Sequence, residues 1–189
     1  MHIISTRRRH AVVIGGGTAG IAAARARASH CDRITVIERD PTADGGEPRR
    51  GVPQGRHVHQ LLGAGERALE AMFPGLGAEL ERRGAAVIDV GRDVRYCLQD
   101  AWLVRPERSI AVHSQSRPLL ESVLRGLLVA SSPVVWLARE VATGLELDQG
   151  GGRVAGVHLR DADGRSRVEP ADLVVDASGR GSALPRWLA

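Results

Sequence analysis

Residues 15–20 read Gly-Gly-Gly-Thr-Ala-Gly, and Gly15, Gly17 and Gly20 stand at the spacing G-x-G-x-x-G. A turn of this kind acts through its backbone. Gly15 permits a tight turn, Gly17 lets the main chain approach a pyrophosphate, and Gly20 lets the next helix close on the preceding strand. Thr18 and Ala19 fill the turn just ahead of that helix, whose unpaired amides and dipole favour an anion. Glu38 follows about 20 residues beyond the glycines, the place from which a carboxylate accepts hydrogen bonds from an adenosine ribose. These residues predict a dinucleotide site.

The elements needed to hold them are legible around them. Residues 11–14 (Ala-Val-Val-Ile) form an apolar run suited to a buried parallel strand, and 33–37 form a second one ending at Glu38. Between them, 21–29 make a helix with Gly20, Ala24 and Ala28 on one small-residue face. A glycine-rich turn that binds nothing is the alternative, and the strand, helix and acid in register weigh against it.

Further along, 40–56 is turn-rich, with Pro48 and Pro53 forbidding a continuous helix. Apolar residues at helical spacing predict a helix over 57–73, stopped by Pro74 and Gly75, and a shorter one over 77–83. Strands are expected at 85–90, 94–98, 101–104 and 110–113. Ser116 is placed to cap a helix opened by Arg117 and Pro118, with Leu119, Leu120, Val123, Leu124, Leu127 and Leu128 as its apolar stripe. Residues 134–137 read as a third parallel strand. Alternation over 141–147, 154–159 and 166–168, with turn signals between, predicts a three-stranded meander. A buried strand at 173–175 then runs into Asp176-Ala177-Ser178-Gly179.

At 189 residues the chain is long enough to bury a real core, and no apolar run approaches the roughly 18 residues of a membrane span. All 26 basic residues are arginine, scattered among 22 acids, and only 3% of residues are aromatic. That pattern argues against a nucleic-acid surface despite the basic balance. Cys31 and Cys97 form no C-x-x-C and read as reduced thiols of a cytoplasmic protein. Arg7-Arg8-Arg9 raises a twin-arginine signal, but the apolar run behind it is short and ends in glycines, so 1–9 are expected to be a flexible leader. His57 and His59 lack a third ligand at suitable spacing, so no metal is expected.

The meander before the last strand, the arginine-rich loop after Glu38 and Asp-Ala-Ser-Gly at a strand end together resemble the class A flavoprotein monooxygenases of the para-hydroxybenzoate hydroxylase type. The segment Gly51-Val52-Pro53-Gln54-Gly55-Arg56-His57 looks closest to a bacterial subgroup that includes polyether-antibiotic epoxidases, enzymes of secondary metabolism. The resemblance implies an α/β fold over 10–189: a Rossmann-like FAD-binding domain of the glutathione-reductase type with a β-meander. It implies FAD as cofactor, NAD(P)H as reductant, and epoxidation or hydroxylation of a small organic substrate with O2. Residue by residue, it implies that Gly15, Gly17 and Gly20 hold the pyrophosphate and Glu38 the ribose, with Arg39 beside the adenine or its phosphate. Arg49 would reach the ribityl chain or pyrophosphate, Arg117 the diphosphate, and the backbone of Val141 the adenine. Asp176 stands where many members have Asp-Gly and is shared between a cofactor role and a strand-end cap. The family continues into a substrate-binding part and a C-terminal FAD motif, so the chain is expected to be the amino-terminal part of such an enzyme, with a missing C-terminal half as its partner. Other flavin enzymes of the same fold, such as prenyl reductases, and a non-catalytic dinucleotide-binding fragment are the alternatives. A halogenase is disfavoured because Trp102, Trp136 and Trp187 are isolated and lysine is lacking. No catalytic side chain is assigned.

Overall fold

The computed structural model describes residues 9–42, 53–56, 59–105 and 110–189, which fall into two units: 1–42 with 125–189, and 43–124. Strand β1 (His10–Ile14) opens the first unit and leads through the glycine turn into helix α1 (Thr18–Arg27), which returns to β2 (Arg33–Glu38). The strands run parallel, Ala11 opposite Ile34 and Val13 opposite Val36. Parallel neighbours need a crossover, and α1 supplies it. The apolar residues of both strands are buried on both faces, which explains why they read as continuous runs without alternation. α1 turns Gly20, Ile21 and Ala24 inward.

The second unit contains a 3-10 turn (Pro53–Arg56), β3 (His59–Gln60), α2 (Gly63–Met72), α3 (Leu76–Arg82), β4 (Ala86–Asp89), β5 (Cys97–Leu98), β6 (Ala101–Trp102), β7 (Ala111–Gln115) and the first part of α4 (Arg117–Ser131). β7 is the centre of an antiparallel sheet in the order β3-β7-β4. This corrects the helix expected over 57–73. His59 and Gln60 pair with Gln115 and Ser114, so α2 begins only at Gly63. Leu61 and Leu62 have helical spacing yet stand ahead of the helix, Leu62 as its extended N-cap, as tertiary context commonly overrides local pattern. β5 and β6 form a hairpin whose two central residues, Gln99 and Asp100, have φ of 49° and 64°, the left-handed geometry that matches strand twist. α2 and α3 lie on β7, and Phe73, Leu76, Leu80 and Val112 are buried. Ser116 Oγ accepts the Leu119 N–H at 3.2 Å, the expected cap of α4. Of the leucine stripe, Leu120, Leu124 and Leu128 are fully buried together with Val123.

The chain then returns to the first unit. β8 (Val134–Ala138) adds to β2 in parallel, with Val36 opposite Trp136 and Glu38 opposite Ala138. β9 (Val141–Leu147), β10 (Val154–Arg160) and β11 (Ser166–Pro170) are the meander, and β12 (Leu173–Asp176) pairs with β1 before the short helix α5 (Leu184–Trp187). The parallel sheet has the order β12-β1-β2-β8. Val157 and Leu159 of the meander pack on Val12, Ile14 and Ile37, so one sheet face is closed by strands and the other by α1. One polar cluster interrupts this packing. His10 Nε2 lies 2.9 Å from Thr35 Oγ1, and the buried Glu169 accepts from Arg33 at 2.9 Å and from Thr35 at 3.4 Å. The α/β fold with its parallel sheet and meander is the one the sequence predicts.

Candidate functional site: the glycine turn and Glu38

The sheet brings the ends of β12, β1, β2 and β8 side by side, and the glycine turn sits at that edge. Gly15 has φ +101°, a conformation open to glycine and strained for other residues. Its N–H donates to the Ile37 carbonyl at 2.8 Å, while the Ala177 N–H donates to the Ile14 carbonyl at 2.8 Å. A Cβ on Gly15 would fall 2.5 Å from the Ala177 oxygen, so the loop after β12 closes directly on the turn. Gly20 is tighter still: a Cβ there would fall 1.8 Å from the Gly15 oxygen. Helix and strand therefore approach each other only because both positions are bare.

Gly17 is the N-cap of α1, in an extended conformation; a glycine supplies no side-chain cap, and no acid stands in the first turn. The amino end of α1 is thus built from backbone amides, the chemistry that receives phosphate oxygens. Thr18 and Ala19 form its first turn.

Glu38 is 6% exposed. Its Oε2 accepts the Gly16 N–H at 2.8 Å and its Oε1 accepts the Asp40 N–H at 2.9 Å. Two backbone amides thus fix the plane of the carboxylate. Arg39 beside it is exposed. The segment after β8 runs along the same edge: the Glu140 N–H donates to the Glu38 carbonyl at 3.1 Å, and Arg139 takes φ +60° to allow it. Val141 begins β9 from that segment and is 39% exposed.

Asp176 ends β12 opposite Ile14. Its carboxylate accepts the Ser178 N–H at 2.9 Å, the Ser178 hydroxyl at 2.6 Å and the Ser182 hydroxyl. Burial pushes its pKa up, but the two hydroxyls and the amide outweigh burial and hold it below the ordinary carboxylate value. These contacts are those of a loop cap. Arg117 belongs to the second unit and donates its Nε–H to the buried Glu121 at 3.0 Å, one helical turn on. Arg49, with Gly51, Val52 and His57 of the segment 51–57, lies outside the described residues. The structure therefore brings together Gly15, Gly17, Thr18, Ala19, Gly20, Glu38 and Arg39, with Val141 and Asp176 on flanking strands.

Two neighbours of the turn escaped the sequence reading. Ala177 packs its carbonyl on Gly15, and Trp136 packs its ring on Gly16. The one available signal for Trp136 is a bulky residue two positions before the end of a strand, beside a run of three glycines.

A family model described as FAD dependent oxidoreductase matches residues 11–186. The chain belongs to that family. Protein Rv3254 of Mycobacterium tuberculosis is 36% identical over 197 residues, an alignment spanning 98% of this chain and 41% of that protein. Among solved structures, PqsL, a probable FAD-dependent monooxygenase of Pseudomonas aeruginosa, superposes with a TM-score of 0.67 at 22% identity, covering 95% of this chain and 45% of that one. The myxobacterial chondrochloren halogenase CndH gives a TM-score of 0.67 at 21% identity, covering 93% and 38%. At these identities the two structures show a common fold. The chain spans about two fifths of the length of the curated relative it matches. Among the described residues no helix is long and apolar enough to cross a membrane.

The family's cofactor is FAD, and the first unit fits the adenosine diphosphate end of that molecule. Methyl groups are excluded at Gly15 and Gly20, the helix opens on a glycine cap, and a buried carboxylate stands beside the turn.

Proposed function

We propose that the chain binds FAD by its adenosine diphosphate end and forms the cofactor-binding part of a flavin-dependent monooxygenase acting on a small organic molecule. The observation that carries the reading is the buried Glu38 carboxylate, fixed by the Gly16 and Asp40 amides at the mouth of a glycine turn that admits no side chains. In this reading Gly17, Thr18 and Ala19 present amides to the pyrophosphate, and Glu38 accepts from the ribose hydroxyls. Arg39 covers the adenine side, and the Val141 backbone edges the adenine. Arg49 and Arg117 supply guanidinium groups to the diphosphate, which the planar fork of arginine suits. Asp176 serves by holding the 176–182 loop against Gly15. When bound, FAD supplies the redox chemistry, with NAD(P)H as the reductant and O2 as the oxygen donor, while the protein orients it and excludes water. The resemblance carried by the 51–57 segment supports monooxygenase over the other flavin chemistries.

The test is spectral. The purified chain is incubated with FAD, desalted and scanned in the visible range. Retained flavin bands, with a dissociation constant matched by ADP as competitor, support the reading. A chain that binds NAD and refuses FAD refutes it. Oxygen consumption with NAD(P)H, measured on a polypeptide extended to the length of the relatives, tests the monooxygenase half.

A further inference from the structure

Position 16 is the free "x" of the glycine motif, where the spacing rule demands no glycine. Here it is glycine, and β8 shows why. An ideal Cβ on Gly16 would lie 2.5 Å from Trp136 Cζ2, 2.9 Å from Trp136 Cη2 and 2.9 Å from Glu38 Oε2. The indole of Trp136 thus occupies the space in which a side chain at 16 would sit. Arg125 from α4 stands over the same indole, 5.8 Å from its centroid, so the ring is held between a cation and the turn. Val36 lies opposite Trp136 in the sheet, and Glu38 follows two residues later on the same strand. Ring, turn and carboxylate form one packed group: the indole backs the Gly16 Cα while the Gly16 N–H donates to Glu38 at 2.8 Å.

The indole N–H adds a second observation. Nε1 is bonded to the same ring carbon as Cζ2, so the N–H belongs to the ring edge nearest Gly16. It is buried and has no hydrogen-bond partner among the described residues. Buried donors are rarely left unpaired. The ring's volume, set against Gly16, is therefore what Trp136 contributes to the turn.

We infer that Trp136 is a positioning residue for the dinucleotide: its indole sets the Gly16 peptide, and through it the Glu38 carboxylate, at the depth required by the adenosine end. The inference rests on the FAD reading above and adds a size match between Trp136 and Gly16 to it. A methyl group at 16 and the indole at 136 compete for one volume, so their effects on binding are coupled.

The experiment is a double-mutant cycle on the full 189-residue chain, with FAD and ADP titrated calorimetrically against wild type, Gly16→Ala, Trp136→Leu and the double variant. Unfolding midpoints of the ligand-free proteins are measured alongside. With Trp136 present, Gly16→Ala weakens both ligands about tenfold or more; in the Trp136→Leu background, where only the 2.9 Å approach to Glu38 Oε2 remains, the loss is smaller by about threefold or more. Equal losses in both backgrounds overturn the inference, as does a shift in unfolding midpoint with unchanged affinity. If Trp136→Leu fails to fold, Trp136→Phe, which lacks the Cζ2 and Cη2 carbons, takes its place in the cycle and decides in the same way. A wild-type chain that binds neither ligand refutes the FAD reading, and the inference falls with it. Binding by wild type without coupling refutes the inference alone.

Discussion

Gly20 sits so close over Gly15 that a methyl group on its Cα would lie 1.8 Å from the Gly15 carbonyl oxygen. The obstacle is backbone on both sides, so no rotamer change relieves it. Gly20→Ala must push α1 off β1 or open the turn, and overpacking of this kind costs about 1–3 kcal/mol. For a chain of this size that lowers the melting temperature by roughly 2–4 °C per kcal/mol. Thermal unfolding of the ligand-free variant measures it; an unchanged midpoint would show that the turn yields more easily than its packing implies.

Gly126 is the opposite case. It lies inside α4, and a Cβ there meets nothing within 4 Å. Glycine in a helix interior costs about 0.5–1 kcal/mol relative to alanine. Gly126→Ala is therefore expected to raise the unfolding midpoint, and a fall would mean that some other group needs that space.

His113 is held at both ring nitrogens. Nδ1 lies 2.6 Å from Glu66 Oε1 and Nε2 lies 3.2 Å from Glu81 Oε1, so β7 is bracketed to α2 and α3. Burial opposes protonation, but the hydrogen bonds to Glu66 and Glu81 and their charges outweigh it and raise the pKa above its ordinary value. A histidine with a raised folded pKa contributes stability that is complete below the unfolded pKa of about 6.5 and is lost as pH rises through the folded value. Denaturant unfolding between pH 6 and 9 should show this alkaline loss in wild type. In Glu66→Gln the slope should flatten, with stability at pH 6 lower by about 1.5–3 kcal/mol, the range for a hydrogen bond to a charged group. An NMR titration that places His113 at or below its ordinary value contradicts the bracket.

His10 carries the opposite sign. Burial is the first cause, the Arg33 charge the second, and together they outweigh Glu169 and Asp172 to lower its pKa. The neutral ring is thus the folded form, bonded to Thr35 at 2.9 Å. Its stability is present above about pH 6.5 and is lost as pH falls through the depressed folded value. The two histidines therefore destabilise at opposite ends of the pH scale, His10 in the first unit on acidification and His113 in the second on alkalinisation. His10→Gln, which keeps a hydrogen-bonding side chain without titrating, should remove the acid-side slope attributable to this site. Persistence of that slope assigns it to other groups.

The parts legible in the sequence are those whose structure is decided locally. The run 11–14, the glycines and the strand to Glu38 could be read because a doubly buried strand has no polar face and a crossover helix must touch it through small residues. The Ser116 cap was legible for the same reason, since it acts over three residues. His59 and Gln60 were not, because their partners, Ser114 and Gln115, lie more than fifty residues away in the chain. The sequence balances Asp176 between two roles, and the structure adds three contacts within residues 176–182 that no local pattern spells out. Trp136 was invisible as part of the site, because a contact between a strand residue and a turn more than a hundred residues earlier leaves no local periodicity.

Glu38 offers the most direct test of the nucleotide end. Its carboxylate spends one oxygen on the Gly16 amide and one on the Asp40 amide, both donors. Glutamine keeps the shape but replaces one oxygen with an NH2 group, which must then face an amide N–H. One of the two buried bonds is lost and a donor is left against a donor. Glu38→Gln is expected to lower stability by about 1–3 kcal/mol for the unsatisfied pair. It is also expected to weaken FAD and ADP by a similar factor of about tenfold or more, because each 1.4 kcal/mol is tenfold in affinity and the ribose contact is common to both ligands. Calorimetric titration at a temperature where both proteins are folded separates the two effects. If Glu38→Gln melts earlier yet binds ADP as tightly as wild type, the carboxylate is a structural clamp for the turn and the ribose must be held elsewhere.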